Sequence, residues 1–195
     1  SQAEATATTF QTYTITDSDT TGTYTCTLGG DDAADFTASI SAKVCTVVWA
    51  AAPNYESPTD DDTDNVYDIT IAFSDGTNDL AAQTTAVTVT DTNDQTPAAT
   101  VASTYSQAEA TATTFQTYTI TDSDTSGTYT CTLAGTDAAD FTASISGKVC
   151  TVVWAAAPDY DSAADDGGNN VYDITLAFSD GTNDLAAQTT AITIT

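Results

Sequence analysis

The stretch Val66-Tyr67-Asp68-Ile69-Thr70-Ile71-Ala72-Phe73-Ser74 decides the fold class. Tyr67, Ile69, Ile71 and Phe73 fall on one side of a period-two pattern, and Asp68, Thr70 and Ala72 on the other. That alternation is the signature of a half-buried β-strand. The same pattern recurs on either side of it. Residues 8–16 and 23–28 alternate Thr with Phe, Tyr, Ile, Cys and Leu, residues 36–40 and 43–51 follow across a small-residue turn, and residues 81–90 close the run. Thr supplies 44 of the 195 residues, and no stretch has helical spacing. The composition therefore predicts an all-β protein.

Charge narrows the function. The chain has 28 acidic side chains, two Lys, no His and no Met, for a net charge of −26. Nucleic acid and anionic membrane surfaces are excluded as natural partners, because both require positive charge to replace released counterions. Without His there is no Ser–His–Asp, Cys–His or His–zinc arrangement. The longest apolar run, residues 47–53, is far too short for direct membrane insertion. A carboxylate-pair glycosidase would need two facing acids in a cleft, with aromatics to hold sugar. These exclusions argue against an enzyme. The chain has neither an initiator Met nor a leader pattern, and reads as a processed chain or an excerpt of a longer one.

A shift of 105 places lays residues 1–90 on residues 106–195 without a gap, with about 76 of the 90 positions identical. Phe10 and Phe115, Cys26 and Cys131, Lys43 and Lys148, and Trp49 and Trp154 recur in register. A repeat of this size is an independent domain, not a solenoid unit. The expected layout is repeat one at 1–90 with its first strand missing, a linker at 91–97, and repeat two at 98–195. Residues 98–105 supply the first strand of repeat two. About seven short strands per copy predict a two-sheet sandwich, cut from a longer tandem array.

Asp91-Thr92-Asn93-Asp94-Gln95-Thr96-Pro97 resembles the DxNDxxP linker of cadherin repeats, and four further signatures stand in cadherin order. Glu4 and Glu109 sit at the early Glu. Asp17-Ser18-Asp19 and Asp122-Ser123-Asp124 match the DxD motif. Asn54-Tyr55-Glu56 and Asp159-Tyr160-Asp161 match the LDRE-type motif, while Asp75-Gly76 and Asp180-Gly181 match the late Asp. Phrases such as Gly135-Thr136-Asp137-Ala138-Ala139-Asp140-Phe141 look like bacterial and archaeal cadherin-like repeats of giant surface proteins. The resemblance covers the whole chain and implies two tandem Greek-key, cadherin/Ig-like β-sandwiches.

It also implies calcium. Glu4 and Glu56 from repeat one, Asp91, Asn93 and Asp94 from the linker, and Asp122, Asp124 and Asp180 from repeat two are the implied ligands, with backbone carbonyls of Thr92 and Gln95. Seven carboxylates gathered at one junction would repel, and Ca²⁺ relieves this because it accepts six to eight oxygens in flexible geometry. About three such ions leave the junction near neutrality. Asn54 stands where the family has Asp, leaving one neutral ligand, and Asp161 replaces Glu with a shorter arm. Asp17, Asp19 and Asp75 at one end, and Glu109, Asp159 and Asp161 at the other, form terminal half-sites without their linkers.

Three features stand apart from the resemblance. The acidic run Asp60-Asp61-Asp62-Thr63-Asp64-Asn65 and its milder copy at residues 165–170 read equally as an ion-binding loop lacking the full EF-hand pattern and as a polar loop before a strand. Four cysteines allow three pairings, and the repeat points to one pair per copy, Cys26 with Cys45 and Cys131 with Cys150. Such disulfides belong outside the reducing cytosol. Lys43 and Lys148 read either as edge-blunting residues or as docking points on a neighbour's carboxylates.

The sequence therefore predicts a structural module of an extracellular, cell-surface microbial protein, stiffened by calcium and serving as filament, adhesin stalk or matrix. Its expected partners are other copies or neighbouring repeats end to end. The alternative is a module recognising cell-surface glycan or ice through Thr-rich faces.

Overall fold

Val66–Ser74 is one continuous strand, with Tyr67, Ile69 and Ile71 buried and Asp68 exposed between them. It is the central element of one of two sandwiches in a computed structural model that describes residues 1–5, 9–19, 21–109 and 114–195. Compact units are formed by Ser1–Thr92 and Asn93–Thr195.

In the first unit the strands are β1 (Gln2–Ala3), β2 (Thr9–Thr14), β3 (Thr25–Gly29), β4 (Phe36–Ser41), β5 (Val44–Trp49), β6 (Val66–Ser74) and β7 (Asp79–Thr90). They form a four-stranded sheet, β1-β7-β6-β3, and a three-stranded sheet, β2-β5-β4. The second unit repeats this with β8 (Thr104–Gln107), β9 (Thr114–Thr119), β10 (Thr130–Ala134), β11 (Phe141–Ser146), β12 (Val149–Trp154), β13 (Val171–Ser179) and β14 (Asp184–Ile194). Its sheets are β8-β14-β13-β10 and β9-β12-β11. The chain is all-β, with seven strands per sandwich among the described residues. Predicted strand ends in the first unit shift by at most two residues, and Thr8, where one was expected to begin, lies outside the described residues.

The sheets close on an aromatic core. Phe36 and Trp49 stack at 4.2 Å between ring centroids, and Tyr67 meets Trp49 edge-on at 4.8 Å. Phe141, Trp154 and Tyr172 repeat the cluster. Offset and edge-to-face pairs of this kind add specificity to the apolar burial that drives the fold. Cys26 on β3 bonds Cys45 on β5, with Cα atoms 6.0 Å apart, and so joins the two sheets. Cys131 and Cys150 do the same in the second unit.

The expected strand at 98–105 is corrected. Ala98 makes an isolated antiparallel bridge with Thr121 beyond β9, and pairing resumes only at β8, which runs parallel to β14. The chain changes sheets between these points, so one strand cannot span them. Gln188 fills the gap, accepting the Val101 N–H at 3.1 Å and donating to the Ala99 carbonyl at 2.9 Å. The first unit has a counterpart to the end of β8: Gln2 and Ala3 pair in parallel with Val89 and Thr90 as β1, where a first strand was expected to be absent.

The two units differ beside this edge. In the second unit Ala99 and Val101 pack on a core containing Tyr118, Ile120 and Phe178, with Leu185 partly buried against it. At the equivalent place the first unit has an open groove of about 650 Å³ lined by Tyr13, Ile15, Phe73, Leu80 and Gln83. Leu80 is 54 % exposed there.

Asp32, 4 % exposed, is a further structural centre. Its carboxylate accepts the Asp61 N–H at 2.7 Å and the Asp68 N–H at 2.6 Å, tying the 60–65 loop to β6. Asp137 makes the same bonds to Asp166 and Asp173. Asp32→Ala would strand two amide donors, at a cost of about 3 kcal/mol. The expected result is a two-step urea curve in which the first unit unfolds well before the second, and a single unshifted transition would contradict it.

Candidate metal centre

Each unit builds carboxylate clusters from its loops. In the first, one oxygen each from Glu4, Glu56 and Asp91 lie within 4.8 Å of one another. Glu4 follows β1 and is buried, its Oε1 accepting the Thr92 N–H and its Oε2 the Tyr55 N–H, both at 2.7 Å. Two charge-assisted bonds therefore hold this carboxylate in place. Asn54 is occupied structurally: its Oδ1 accepts the Glu56 and Ser57 N–H groups at 2.8 and 3.1 Å, capping the turn that presents Glu56.

In the second unit Asp122, Asp124 and Asp180 converge within the same limit. Asp180 is fully buried, and its Oδ1 accepts the Thr182 and Asn183 N–H groups, each at 2.7 Å. Burial pushes its pKa up, but these bonds and the Asn183 and Asn93 side chains outweigh it and hold the carboxyl below its ordinary range. Asp124 accepts the Gln95 N–H at 2.9 Å. One end of the Asn93 amide lies 2.9 Å from Oδ2 of both Asp124 and Asp180. With nitrogen at that end it donates to both, and with oxygen there the three oxygens form a seat for a cation. Asp94 is exposed and accepts from the Gln95 side chain at 2.6 Å.

The terminal half-sites differ. Asp17, Asp19 and Asp75 converge like their second-unit counterparts. The Asp17 carboxyl is held low by the Asp19 N–H and then by the Tyr24 hydroxyl, and that of Asp75 by the Asn78 and Thr77 N–H groups. Glu109, Asp159 and Asp161 form no such triad among the described residues. Asp159 accepts the Asp161 N–H at 3.0 Å, and Glu109 is exposed although it keeps the Tyr160 N–H at 2.7 Å. In the first unit the third member of the triad is Asp91.

The two lysines take a role that neither sequence reading anticipated. Lys148 Nζ donates to the main-chain carbonyls of Asp122 and Asp124 at 3.0 and 3.4 Å and lies over the Tyr129 ring, whose hydroxyl donates to Asp122 at 3.0 Å. Lys43, Tyr24, Asp17 and Asp19 repeat the arrangement. Each lysine fastens the backbone of a DxD turn and leaves its carboxylate oxygens facing the cluster. The donor set is thus all oxygen, preorganised and strongly anionic, which fits a hard cation and suits neither zinc nor copper.

No family model matches the chain, and neither does any curated protein. Solved structures do. Human protocadherin-24 EC1-2 aligns over 100% of this chain and 92% of its own, with TM-score 0.71 and 18% identity. Protocadherin gamma B2 extracellular cadherin domains 3–6 aligns over 100% of this chain with TM-score 0.68 and 17% identity. A protocadherin gammaB7 EC3-6 cis-dimer structure aligns over 94%, with TM-score 0.65 and 19% identity. The chain spans about half the length of these last two, 45% and 48%. At such identities the likeness is one of fold: each unit is a cadherin-like β-sandwich.

Proposed function

We propose that this chain is a calcium-rigidified segment of a tandem array in an extracellular microbial surface protein, serving as filament, adhesin stalk or matrix component. One observation carries the reading: carboxylate triads are preorganised in both units, and the DxND segment Asp91–Asp94 runs across the boundary between them. Glu4, Glu56 and Asp91 would join Asp122, Asp124 and Asp180 around shared calcium, with Asn93, Asp94 and the carbonyls of Thr92 and Gln95. Ion bridging of this kind turns a flexible string of sandwiches into a stiff rod. Two intact disulfides support an oxidising, extracellular setting. No described helix is long and apolar enough to cross a membrane. Microbial origin rests on the sequence phrases alone. Near-identity of the two units supports a repeated spacer over a specialised glycan receptor. Calorimetric titration of the chain with Ca²⁺ tests the reading, with Asp124→Asn expected to weaken the junction ions together. Equal heats for parent and variant would contradict it.

The partner is a neighbouring repeat, end to end. The groove of the first unit has the lining residues on which the second unit seats Ala99 and Val101, so a connector of that sequence would close it. Such a contact is heterologous and propagates. Placing Thr96-Pro97-Ala98-Ala99-Thr100-Val101-Ala102-Ser103-Thr104-Tyr105 ahead of Ser1 should raise the melting temperature of the first unit by several degrees and bury Leu80. Gln83→Ala should reduce the gain. An unchanged melt with Leu80 still exposed would overturn the docking.

A further inference from the structure

Residues 60–65 and 165–170 make the same turn from different side chains. Thr63 and Gly168 take φ of 57° and 58°, and Asn65 and Asn170 take 65° and 63°. In both loops the leading aspartate is buried, Asp60 at 3 % and Asp165 at 6 % exposure. In both, its Oδ2 accepts the N–H four residues on, from Asp64 at 2.7 Å and from Asn169 at 2.9 Å. The loops part at the other oxygen. Asp165 Oδ1 accepts the Asn170 N–H at 3.0 Å, whereas Asp60 Oδ1 is buried with no hydrogen-bond partner.

What surrounds that carboxylate also differs. The second loop has Gly167 and Asn169 where the first has Asp62 and Asp64. One oxygen each from Asp60, Asp62 and Asp64 lie within 4.8 Å of one another. A buried carboxylate that has one oxygen without a donor and stands beside two further carboxylates is unfavourable unless a cation lies among them.

We propose that Asp60, Asp62 and Asp64 bind a calcium-class divalent cation in the first unit, and that the second unit lacks this site. Carboxylates at i, i+2 and i+4 are the spacing with which oxygen-ligand loops begin, and Asn65 holds the left-handed sixth position where such loops place Gly. The twelfth position is Ile71 rather than a bidentate Glu, so main-chain carbonyls and water complete the shell. Affinity then falls in the weak class of extracellular modules, about 10⁻⁴–10⁻³ M. The site is independent of the junction.

The test counts Ca²⁺ bound per chain by equilibrium dialysis, with the intact chain and millimolar Ca²⁺. The triple variant Asp62→Gly, Thr63→Gly and Asp64→Asn gives the first loop the sequence that the second already folds with. It should bind one Ca²⁺ fewer than the parent and lose the calcium-induced shift of the Val66 amide resonance. The reciprocal pair Gly167→Asp and Asn169→Asp should gain one. Asp124→Asn should weaken junction binding and leave the loop ion in place, so failure of either site is distinguishable from failure of the other. Equal stoichiometry in parent and loop variant, with the Val66 amide unmoved by Ca²⁺ in both, would overturn the proposal.

Discussion

A chain carrying Cys26→Ala and Cys45→Ala should melt in two steps, the first unit on the order of 15 °C below the second. The bond closes a loop of sequence separation 19 and joins β3 in one sheet to β5 in the other. Restricting an unfolded loop of that size contributes about 3 kcal/mol on the chain-entropy model. Each kcal/mol moves the midpoint of a domain this small by about 4–8 °C. The Cys45 side chain is also fully buried beside Val47 and Trp49, so its truncation leaves space in the core. The second unit, with Cys131–Cys150 intact, is the internal reference for differential scanning calorimetry. Coincident melting of both units would show that the bond adds nothing to the packed sheets.

The second large effect is that of calcium removal. Under the proposed function seven carboxylates, Glu4, Glu56, Asp91, Asp94, Asp122, Asp124 and Asp180, share the junction ions, and without cations their repulsion would oppose the folded turns that hold them. An ion binding only the native state stabilises it by about 2.7 kcal/mol when its free concentration is 100 times the dissociation constant. One such site therefore raises the midpoint by about 10–20 °C on the same scale, and cooperating sites add to it. Asp91→Asn and Asp124→Asn should each remove part of that gain while leaving the calcium-free midpoint nearly unchanged or slightly raised, because each relieves repulsion. A fall in the calcium-free midpoint as large as that in calcium would instead mark these residues as ordinary packing elements.

The fold was legible where alternation was uninterrupted. Val66–Ser74 appears in the structure with the bounds its pattern predicts, because every second side chain is a large apolar residue that must leave water. Residues 98–105 misled because Ala, Thr and Ser carry little information about which face is buried. Nothing in them marks the crossing from one sheet to the other, and that crossing is stabilised by Gln188, far away in sequence. The clustered carboxylates were legible as motifs, since they recur at fixed spacing in both copies. Their supports were not. Lys43 reaches the carbonyls of Asp17 and Asp19 only because β2 pairs antiparallel with β5, bringing the Ile15 N–H to 2.8 Å from the Lys43 carbonyl. Nothing in the sequence marks Asp32 and Asp137, and only their burial beneath the following loop shows them to be acceptors for amides 29 and 36 residues away.

The central claim is that calcium couples the two units, and small-angle X-ray scattering of the intact chain in calcium and in chelator tests it most directly, with thermal melting recorded on the same samples. The account predicts a single well-defined scattering envelope and a high midpoint in calcium, then a broadened distribution of maximum dimensions and a midpoint lower by 10 °C or more in chelator, roughly the effect of one well-occupied site. Restored calcium should reverse both changes. Superimposable scattering curves and equal midpoints in the two conditions would contradict it.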